Sequence, residues 1–214
     1  MTKRLIEEWL PIAEIGIESI RERTPMTPYP APNRLHVWWA RRPLVASRAA
    51  VLASLLPADA DRKTFMHMLG IHGDPLACRR RIDSARRKGE RFEGEAYTYK
   101  RAFTYKPNEK EEFWLLDELA KLGISQPRVL DPTAGGGAIP FEALRLGCTT
   151  FANDINPVAV LVQKATYEWP VKNGNTLLEE FKRFTNEFVR RREERLTPYY
   201  PEEPNTNCIS TNYL

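Results

Sequence analysis

The sequence predicts an α/β fold with a small parallel sheet, preceded by a helical and basic N-terminal region. Two short apolar runs, near residues 127–131 and 149–154, have the length and composition of β-strands. A helical pattern, AIPFEALRLG, lies between them, and another, VAVLVQKATYE, follows Asn156-Pro157. Because strand, helix, strand and helix of these lengths make a βαβ unit, the two strands should be parallel.

The N-terminal region, residues 1–57, should contain two helical stretches joined by a stiff segment. Apolar residues recur at helical spacing over residues 3–23, with a kink or restart at Pro11. Four prolines fall within residues 24–33, which predicts an extended strap close to polyproline II. A further helix should begin at Pro43, since proline is tolerated in the first turn of a helix.

Residues 58–110 are the least regular part of the chain. We interpret them as a basic insertion rich in aromatic residues. They should contain a short helix around residues 74–88 and a hairpin around residues 95–105.

Residues 111–196 are assigned to a partial ligand-binding domain built around the βαβ unit. It should open with a helix over residues 111–122 and close with a long charged helix over residues 176–196. The segment 197–214 is polar and rich in proline and asparagine, which predicts a disordered tail.

The charge of the chain is unevenly distributed. The net charge is +4, but residues 1–110 hold 21 Lys and Arg against 13 Asp and Glu, whereas residues 111–214 hold 11 against 15. A net charge of +8 on the first half favours an anionic partner, with nucleic acid the first candidate. The alternative is a basic surface that is simply solvated.

Cysteine usage and hydropathy indicate a cytoplasmic protein without a membrane span or metal site. Cys78, Cys148 and Cys208 are odd in number and follow no pairing motif, which suits a reducing compartment. No apolar run approaches the length of a transmembrane helix. His67 and His72 lie near Cys78, but no Cys-x-x-Cys accompanies them, so no metal ligands are predicted.

The glycine loop PTAGGG between the predicted strands should hold a ligand. A nucleoside triphosphate would require a lysine after the glycines, and none is present. A dinucleotide would require a third glycine where Pro140 stands, and the carboxylate of Asp131 is a poor neighbour for a pyrophosphate. A cationic nucleoside such as S-adenosylmethionine, which carries an ammonium, a sulfonium and no phosphate, suits Asp131 better.

A second acid supports a nucleoside ligand. Asp154 ends the second predicted strand, where its carboxylate could accept both ribose hydroxyls, and Ile155 could lie against the adenine. The alternative interpretation is purely structural, with the glycines forming a tight turn and Asp154 capping the next helix.

Three segments together resemble a known group of enzymes. DPTAGGGAIPFEA followed by ANDINP is similar to the first two cofactor motifs of amino-methylating DNA methyltransferases, and HVWWARRPLVASRAAVLASLL resembles their other cofactor-side motif. The opening RLIEEWLPIAEIGIESIRERTPMTPYPAPNRLHVWWARRP is similar to a prokaryotic family of adenine-specific DNA methylases, large proteins of which some carry a zinc ribbon. The resemblance implies part of a Rossmann-like methyltransferase sheet that binds S-adenosylmethionine. The residues implied in cofactor binding are Asp131, Pro132, Thr133, Ala134, Gly135, Gly137, Asp154, Ile155 and Asn156.

The WWARRP segment carries a second set of candidate residues. Trp38 and Trp39 could stack on a base or wall an adenosyl pocket, and Arg41 and Arg42 could pair with phosphate or with a carboxylate. The resemblance places this segment beside the methionine end of the cofactor. The alternative is a core tryptophan pair with surface arginines.

The catalytic motif of the amino-methyltransferases, Asn/Asp/Ser-Pro-Pro-Tyr/Phe, is absent, since the sequence contains no Pro-Pro dipeptide. We therefore assign no catalytic residue and expect a truncated or split N-terminal portion of a DNA adenine-N6 methyltransferase. Its expected partners are DNA and a separately encoded C-terminal part. A non-catalytic nucleic-acid-binding or regulatory remnant and an RNA methyltransferase fragment remain alternatives, and cytosine-N4 specificity stays open.

Overall fold

The computed structural model describes residues 3–24, 29–92 and 95–199. The fold is mixed α/β, mostly helical, with one two-stranded parallel sheet in the described residues. The chain divides into two compact units, Met1–Tyr167 and Glu168–Leu214. The predicted α/β class, with a helical region before parallel strands, is confirmed at this level.

The N-terminal helices follow the predicted pattern in all but one segment. They are α1 (Leu5–Glu8), α2 (Ile12–Arg23), α3 (Pro32–Leu35) and α4 (Leu44–Leu55). The break at Pro11 and the helix that follows Pro43 are confirmed. The prediction of an extended strap over residues 24–33 is wrong at its C-terminal end. Pro32 occupies the first turn of α3, where its fixed φ favours a helix. Residues 25–28 of the strap lie outside the described residues.

Helix α4 lies at the centre of the core of the first unit. Val45, Leu52 and Ala53 are fully buried, and the helix packs against α1 and α2. Phe65, Met68 and Leu119 belong to the same apolar cluster. A helix that is apolar on several faces in this way is stabilised by burial on all of them.

The segment that follows α4 contains two helices and a 3₁₀ turn. These are α5 (Arg62–Met68), α6 (Pro75–Arg87) and Ala102–Thr104. The predicted helix around residues 74–88 is confirmed. Helix α5 was missed, although Asp61 caps it by accepting a hydrogen bond from the Thr64 N–H at 2.8 Å.

The predicted hairpin over residues 95–105 is wrong. The segment bonds to α2 and in a local 3₁₀ turn: the Ala102 N–H and the Tyr99 hydroxyl donate to the Glu18 carboxylate at 3.1 and 2.9 Å, and Arg21 donates to the Tyr99 carbonyl at 2.7 Å. With those groups satisfied by side chains, no cross-strand ladder is needed.

The βαβ unit forms as predicted. It comprises β1 (Arg128–Asp131), α8 (Ala138–Arg145) and β2 (Thr149–Ala152). Helix α7 (Glu109–Lys121) precedes it and α9 (Pro157–Gln163) follows it. The strands are parallel, with Arg128 opposite Thr149 and Asp131 opposite Ala152. Strand β2 ends two residues earlier than predicted, because Asp154 turns away to bind backbone N–H groups. A π-helical turn, Lys164–Glu168, follows α9.

The described part of the second unit contains the long helix α10 (Trp169–Leu196) and a 3₁₀ turn, Thr197–Tyr199. The predicted helix over residues 176–196 is confirmed and begins earlier, with a non-helical residue at Gly174. Of the predicted disordered tail 197–214, the first three residues form that turn and residues 200–214 lie outside the described part. None of the described helices combines the length and apolarity that crossing a bilayer requires.

Candidate functional site

The glycine loop, residues 132–137, joins β1 to α8 in a conformation that depends on two glycines. Gly135 and Gly137 have φ of 54° and 81°, in the left-handed region where side chains other than glycine are strained. Gly137 occupies the N-cap of α8 and has no side chain with which to accept a hydrogen bond. The first N–H groups of α8 therefore have no side-chain cap, which leaves them to water or a ligand.

Asp131 lies at the carboxyl end of β1 with one oxygen unsatisfied. Its side chain is buried, at 6% exposure, and Oδ1 accepts a hydrogen bond from the Thr133 N–H at 3.2 Å. Oδ2 is buried and has no hydrogen-bond partner among the described residues. A buried carboxylate oxygen without a partner is costly, so this atom is available to accept a hydrogen bond from a ligand or a water molecule.

Asp154 connects the end of β2 to the glycine loop. Its Oδ2 accepts from the Gly135 N–H at 2.7 Å, and its Oδ1 accepts from the Asn156 N–H at 2.9 Å. Hydrogen bonds from Asn156 and then Gly135 hold the pKa of this carboxyl below its usual range. Each carboxylate oxygen has a second acceptor site, so Asp154 can still accept ribose hydroxyls while it holds the loop.

The residues after Asp154 divide into one exposed side chain and one helix cap. Ile155 is fully exposed, beside the end of β2. The Asn156 side chain accepts from the Val158 N–H at 2.9 Å and caps α9. Pro132, the first residue of the loop, accepts through its carbonyl from the Asn153 amide at 3.4 Å.

The two tryptophans of the WWARRP segment have different surroundings. Trp38 is buried against the glycine loop. A Cβ added to Gly135 would lie 2.8 Å from the Trp38 Nε1, and one added to Gly136 would lie 3.0 Å from the Trp38 Cβ. Trp39 is 84% exposed. The interpretation of a core tryptophan pair is therefore wrong for Trp39, whereas Trp38 forms one wall of the loop.

Arg41 and Arg42 line a pocket beside the glycine loop. The pocket encloses about 100 Å³. It is lined by Glu22, Pro30, Pro32, Asn33, Trp38, Ala40, Arg41, Arg42, Leu44, Thr133, Ala134, Gly135, Gly136 and Ala138. Sites for whole drug-sized ligands are larger, about 300–1,000 Å³, so this pocket suits a small anionic group such as a carboxylate. Within the described part of the chain, neither guanidinium makes a hydrogen bond or an ion pair.

Glu22 is a pocket residue that the sequence analysis missed. Its two carboxylate oxygens accept from the Leu44 and Val45 N–H groups at 2.8 and 3.2 Å, which caps α4 from a different helix. Burial raises the pKa of Glu22 to about 7, against the backbone hydrogen bonds that lower it. No local sequence signal marks this contact, since a cap is ordinarily supplied by the residue that precedes the helix.

A buried ion pair, also missed, joins α4 to the helix of the glycine loop. Arg48 Nε lies 2.7 Å from Glu142 Oε2, and the two side chains are 1% and 0% exposed. The guanidinium also donates to the carbonyls of Met68, Leu69, Ala102 and Phe103. This network fixes α8, and with it the glycine loop, against the helix that follows the WWARRP segment.

His67 and His72 lie apart from this site, whereas His36 lies beside Trp38, with ring centroids 6.4 Å apart. His67 stacks on His72, with ring centroids 4.0 Å apart, and its Nδ1 contacts the Glu111 carboxylate. Within the described residues, no group of three or more His, Cys, Asp or Glu side chains is arranged to hold a metal ion.

One family matches part of the chain. It is described as "Protein of unknown function (DUF1156)", and the match covers residues 9–69, from before α2 to the end of α5. The matched segment includes the WWARRP residues, Glu22 and Arg48. No curated protein and no solved structure matches the chain.

Proposed function

We propose that this chain binds S-adenosylmethionine at the glycine loop and forms the cofactor-binding portion of a DNA adenine-N6 methyltransferase. The observation that carries the proposal is the buried, unpartnered Oδ2 of Asp131 at the carboxyl end of β1. Ligands of parallel α/β sheets bind at this edge. In this proposal, the sheet is part of a Rossmann-like methyltransferase fold.

The chemistry of the loop favours a cationic nucleoside over a phosphate ligand. Asp131 and Asp154 flank the glycines, and no lysine follows them in the sequence. Two carboxylates would repel a pyrophosphate, whereas the ammonium of a methionine moiety would donate to Asp131 Oδ2. Burial of that oxygen makes the contact stronger than it would be in water.

Each end of the cofactor has a candidate set of residues. Asp131 and the loop residues Thr133 to Gly137 would hold the ammonium, and Arg41 or Arg42 would meet the carboxylate in the adjoining pocket. Asp154 would accept from the ribose hydroxyls, and the exposed Ile155 would lie along the adenine. When bound, S-adenosylmethionine supplies an electrophilic methyl group.

The groups that would hold the target base are not in these 214 residues, since the Asn/Asp/Ser-Pro-Pro-Tyr/Phe motif is missing. We therefore assign cofactor binding to this chain and methyl transfer to its assembly with a partner polypeptide that carries the motif. The same missing motif favours a second candidate, a nucleic-acid-binding or regulatory protein that keeps the cofactor site without catalysis. An RNA substrate is the third.

Calorimetry on the full chain tests the cofactor. S-adenosylmethionine should bind and NAD should not. The proposal is overturned if NAD binds and S-adenosylmethionine does not. Methylation of DNA after a polypeptide with the missing motif is added would favour the enzyme over the non-catalytic candidate.

Asp131→Asn tests the observation on which the proposal depends. The amide keeps an acceptor for the Thr133 N–H but removes the charge that would attract the ammonium. Losing a hydrogen bond to a charged group should weaken S-adenosylmethionine binding about 10- to 100-fold. Asp117→Asn, at an exposed carboxylate on α7, is the matched control. Equal affinities for both variants would argue against the site.

The arginines can be tested with a truncated ligand. 5′-Methylthioadenosine lacks both the ammonium and the carboxylate of the cofactor. The Arg41→Ala/Arg42→Ala variant should lose affinity for S-adenosylmethionine and keep its affinity for 5′-methylthioadenosine. A loss for both ligands would indicate a damaged fold, and a loss for neither would exclude the arginines as carboxylate ligands.

A further inference from the structure

The most concentrated charge in the protein lies on and just after α6. Residues 79–91, RRRIDSARRKGER, hold seven Lys and Arg against two acids, Asp83 and Glu90, a net charge of +5. The whole chain has a net charge of only +4. The basic character of the N-terminal half therefore comes largely from one short segment.

The helix turns its arginines away from the core. Pro75 and Cys78 are buried, and α6 packs against α2. At about 100° per residue, Arg80 and Arg87 lie about 180–200° around the helix axis from Cys78. Both are exposed, and they stand about 10 Å apart along the axis. Arg86 and Lys88 flank them on either side.

The outward cations are not neutralised by neighbouring acids. Arg79 pairs with Asp83 at 3.0 Å, and Arg81 donates to the Ala96 carbonyl at 3.0 Å. Of the seven cations in residues 79–91, the side chains that make no hydrogen bond or ion pair with a described residue are those of Arg80, Arg86, Arg87, Lys88 and Arg91, and the last of these lies beyond the helix.

Helix α10 provides the contrast within the same chain. It is also rich in arginine, but Arg183 pairs with Glu180 at 2.5 Å and Arg191 pairs with Glu187 at 2.7 Å. Arg183 and Arg191 of α10 are therefore compensated, and the arginines on the outer face of α6 are not.

We propose that the outer face of α6, formed by Arg80, Arg86, Arg87 and Lys88, binds the phosphate backbone of a nucleic acid. Three of the four are arginines, whose planar guanidinium matches phosphate oxygens in a bidentate way. The favourable effect of cations near a helix C-terminus accounts for Arg86 and Arg87 but not for Arg80, which lies mid-helix.

A membrane surface fits this face less well. An interfacial helix needs an exposed apolar side to enter the bilayer, and no large apolar side chain of α6 is exposed over its full described length, Pro75–Arg87. The phosphate contacts would be independent of sequence and of the cofactor site. They therefore extend the proposed function without depending on it.

Fluorescence anisotropy with a labelled DNA duplex, titrated with the full chain at salt concentrations between about 50 and 200 mM, measures the contacts directly. Each phosphate contact contributes about 0.9 to the slope of log K against log salt, so Arg80→Gln/Arg87→Gln should reduce the slope by about 1.8 and weaken binding. Arg183→Gln/Arg191→Gln removes the same charge from α10 and should leave the slope unchanged.

Three results would overturn the proposal. These are equal slopes for the two double variants, competition by poly-glutamate as effective as that by unlabelled duplex, and binding to anionic vesicles that exceeds binding to DNA. Circular dichroism verifies that both variants are folded. Calorimetry with S-adenosylmethionine on the Arg80→Gln/Arg87→Gln variant separates the two proposals. If the chain does not bind S-adenosylmethionine, the proposed function fails, but the salt dependence of DNA binding still tests the role of α6.

Discussion

The indole Nε1 of Trp38 lies 2.8 Å from the point that a Cβ on Gly135 would occupy. The WWARRP segment and the glycine loop, far apart in sequence, are thus in direct contact through a residue that has no side chain. Gly135 also donates its N–H to Asp154, which fixes the loop from the other side. The two candidate motifs therefore form one structure, and a change in either should be felt by the other.

Gly135→Ala should destabilise the protein through two effects. The left-handed backbone costs a residue with a Cβ about 1–2 kcal/mol, and the contact with Trp38 adds about 1–3 kcal/mol for overpacking. Gly147→Ala is the matched control, because Gly147 has φ of 79° but open space around its Cβ position. Urea unfolding should show a clearly larger loss for Gly135→Ala. Equal losses would mean that Trp38 moves aside without cost.

Arg48→Met should be among the most destabilising single changes in the first unit. It leaves Glu142 buried with only Arg145 as an ionic partner and leaves four backbone carbonyls without their shared donor. Breaking a buried pair in this way costs about 3–5 kcal/mol. Arg190→Met, which breaks an exposed pair with Glu187, should change the free energy of unfolding far less, because exposed ion pairs contribute little to stability.

The double variant Arg48→Met/Glu142→Leu separates the charge from the packing. Replacing both members of a buried pair with apolar residues is often neutral or stabilising, so the double variant should be more stable than Arg48→Met alone. If the double variant is the less stable of the two, the remaining ion pair between Glu142 and Arg145 contributes more than removing the buried carboxylate gains. The stabilities of the two variants can be compared through their denaturant midpoints, provided that their m-values are equal.

Local signals predicted the parts of this fold that depend on neighbouring residues. Gly135 and Gly137 mark the loop because only glycine adopts its backbone conformation at no cost, and Asn156 marks a helix start because its side chain reaches the next turn. Glu22 and Glu18 could not be found in this way, since they bind backbone N–H groups of distant segments. The hairpin prediction failed for the same reason, because the Tyr99 and Ala102 polar groups bond to an acid on α2 that is distant in sequence.

Glu111→Gln should destabilise the protein at neutral pH and less so in acid. Burial alone would raise the pKa of the Glu111 carboxyl, but hydrogen bonds from Tyr105, Asn108 and His67 hold it below the usual 4.5. The folded state therefore binds this proton less readily than the unfolded state, and the stability it contributes is lost as pH falls through the lowered pKa. The cost at pH 7 should be about 1–3 kcal/mol.

Glu112→Gln is the control for Glu111, since it removes the same charge from an exposed position on the same turn of α7. It should change the free energy of unfolding little at any pH. If Glu111→Gln lowers the free energy of unfolding at pH 7 no more than Glu112→Gln does, the hydrogen bonds that Glu111 accepts from Tyr105 and Asn108 make no net contribution to stability. Thermal unfolding followed at several pH values provides the measurement.

Glu22→Gln should have the opposite pH dependence. The pKa of Glu22 is raised from 4.5 to about 7, so between these values the folded state holds a proton that the unfolded state has released. The free energy of unfolding of the wild type should therefore fall as pH rises through this window, by an upper value of about 3 kcal/mol. The neutral amide removes this dependence, so the variant should gain stability relative to the wild type from pH 4.5 to 7.

The amide of Glu22→Gln also loses one acceptor for the Leu44 and Val45 N–H groups, but that loss does not vary with pH. Therefore only the slope of the free energy of unfolding against pH reports the buried charge, and the absolute stability does not. Glu14→Gln on the same helix removes one carboxylate from a half-exposed position and should keep the slope of the wild type. If the Glu22→Gln variant shows the same slope as the wild type, the Glu22 carboxyl of the wild type stays ionised beneath α4. The cap beside the candidate carboxylate pocket would then be anionic at all these pH values, and the pocket would bind an anion less well than Arg41 and Arg42 suggest.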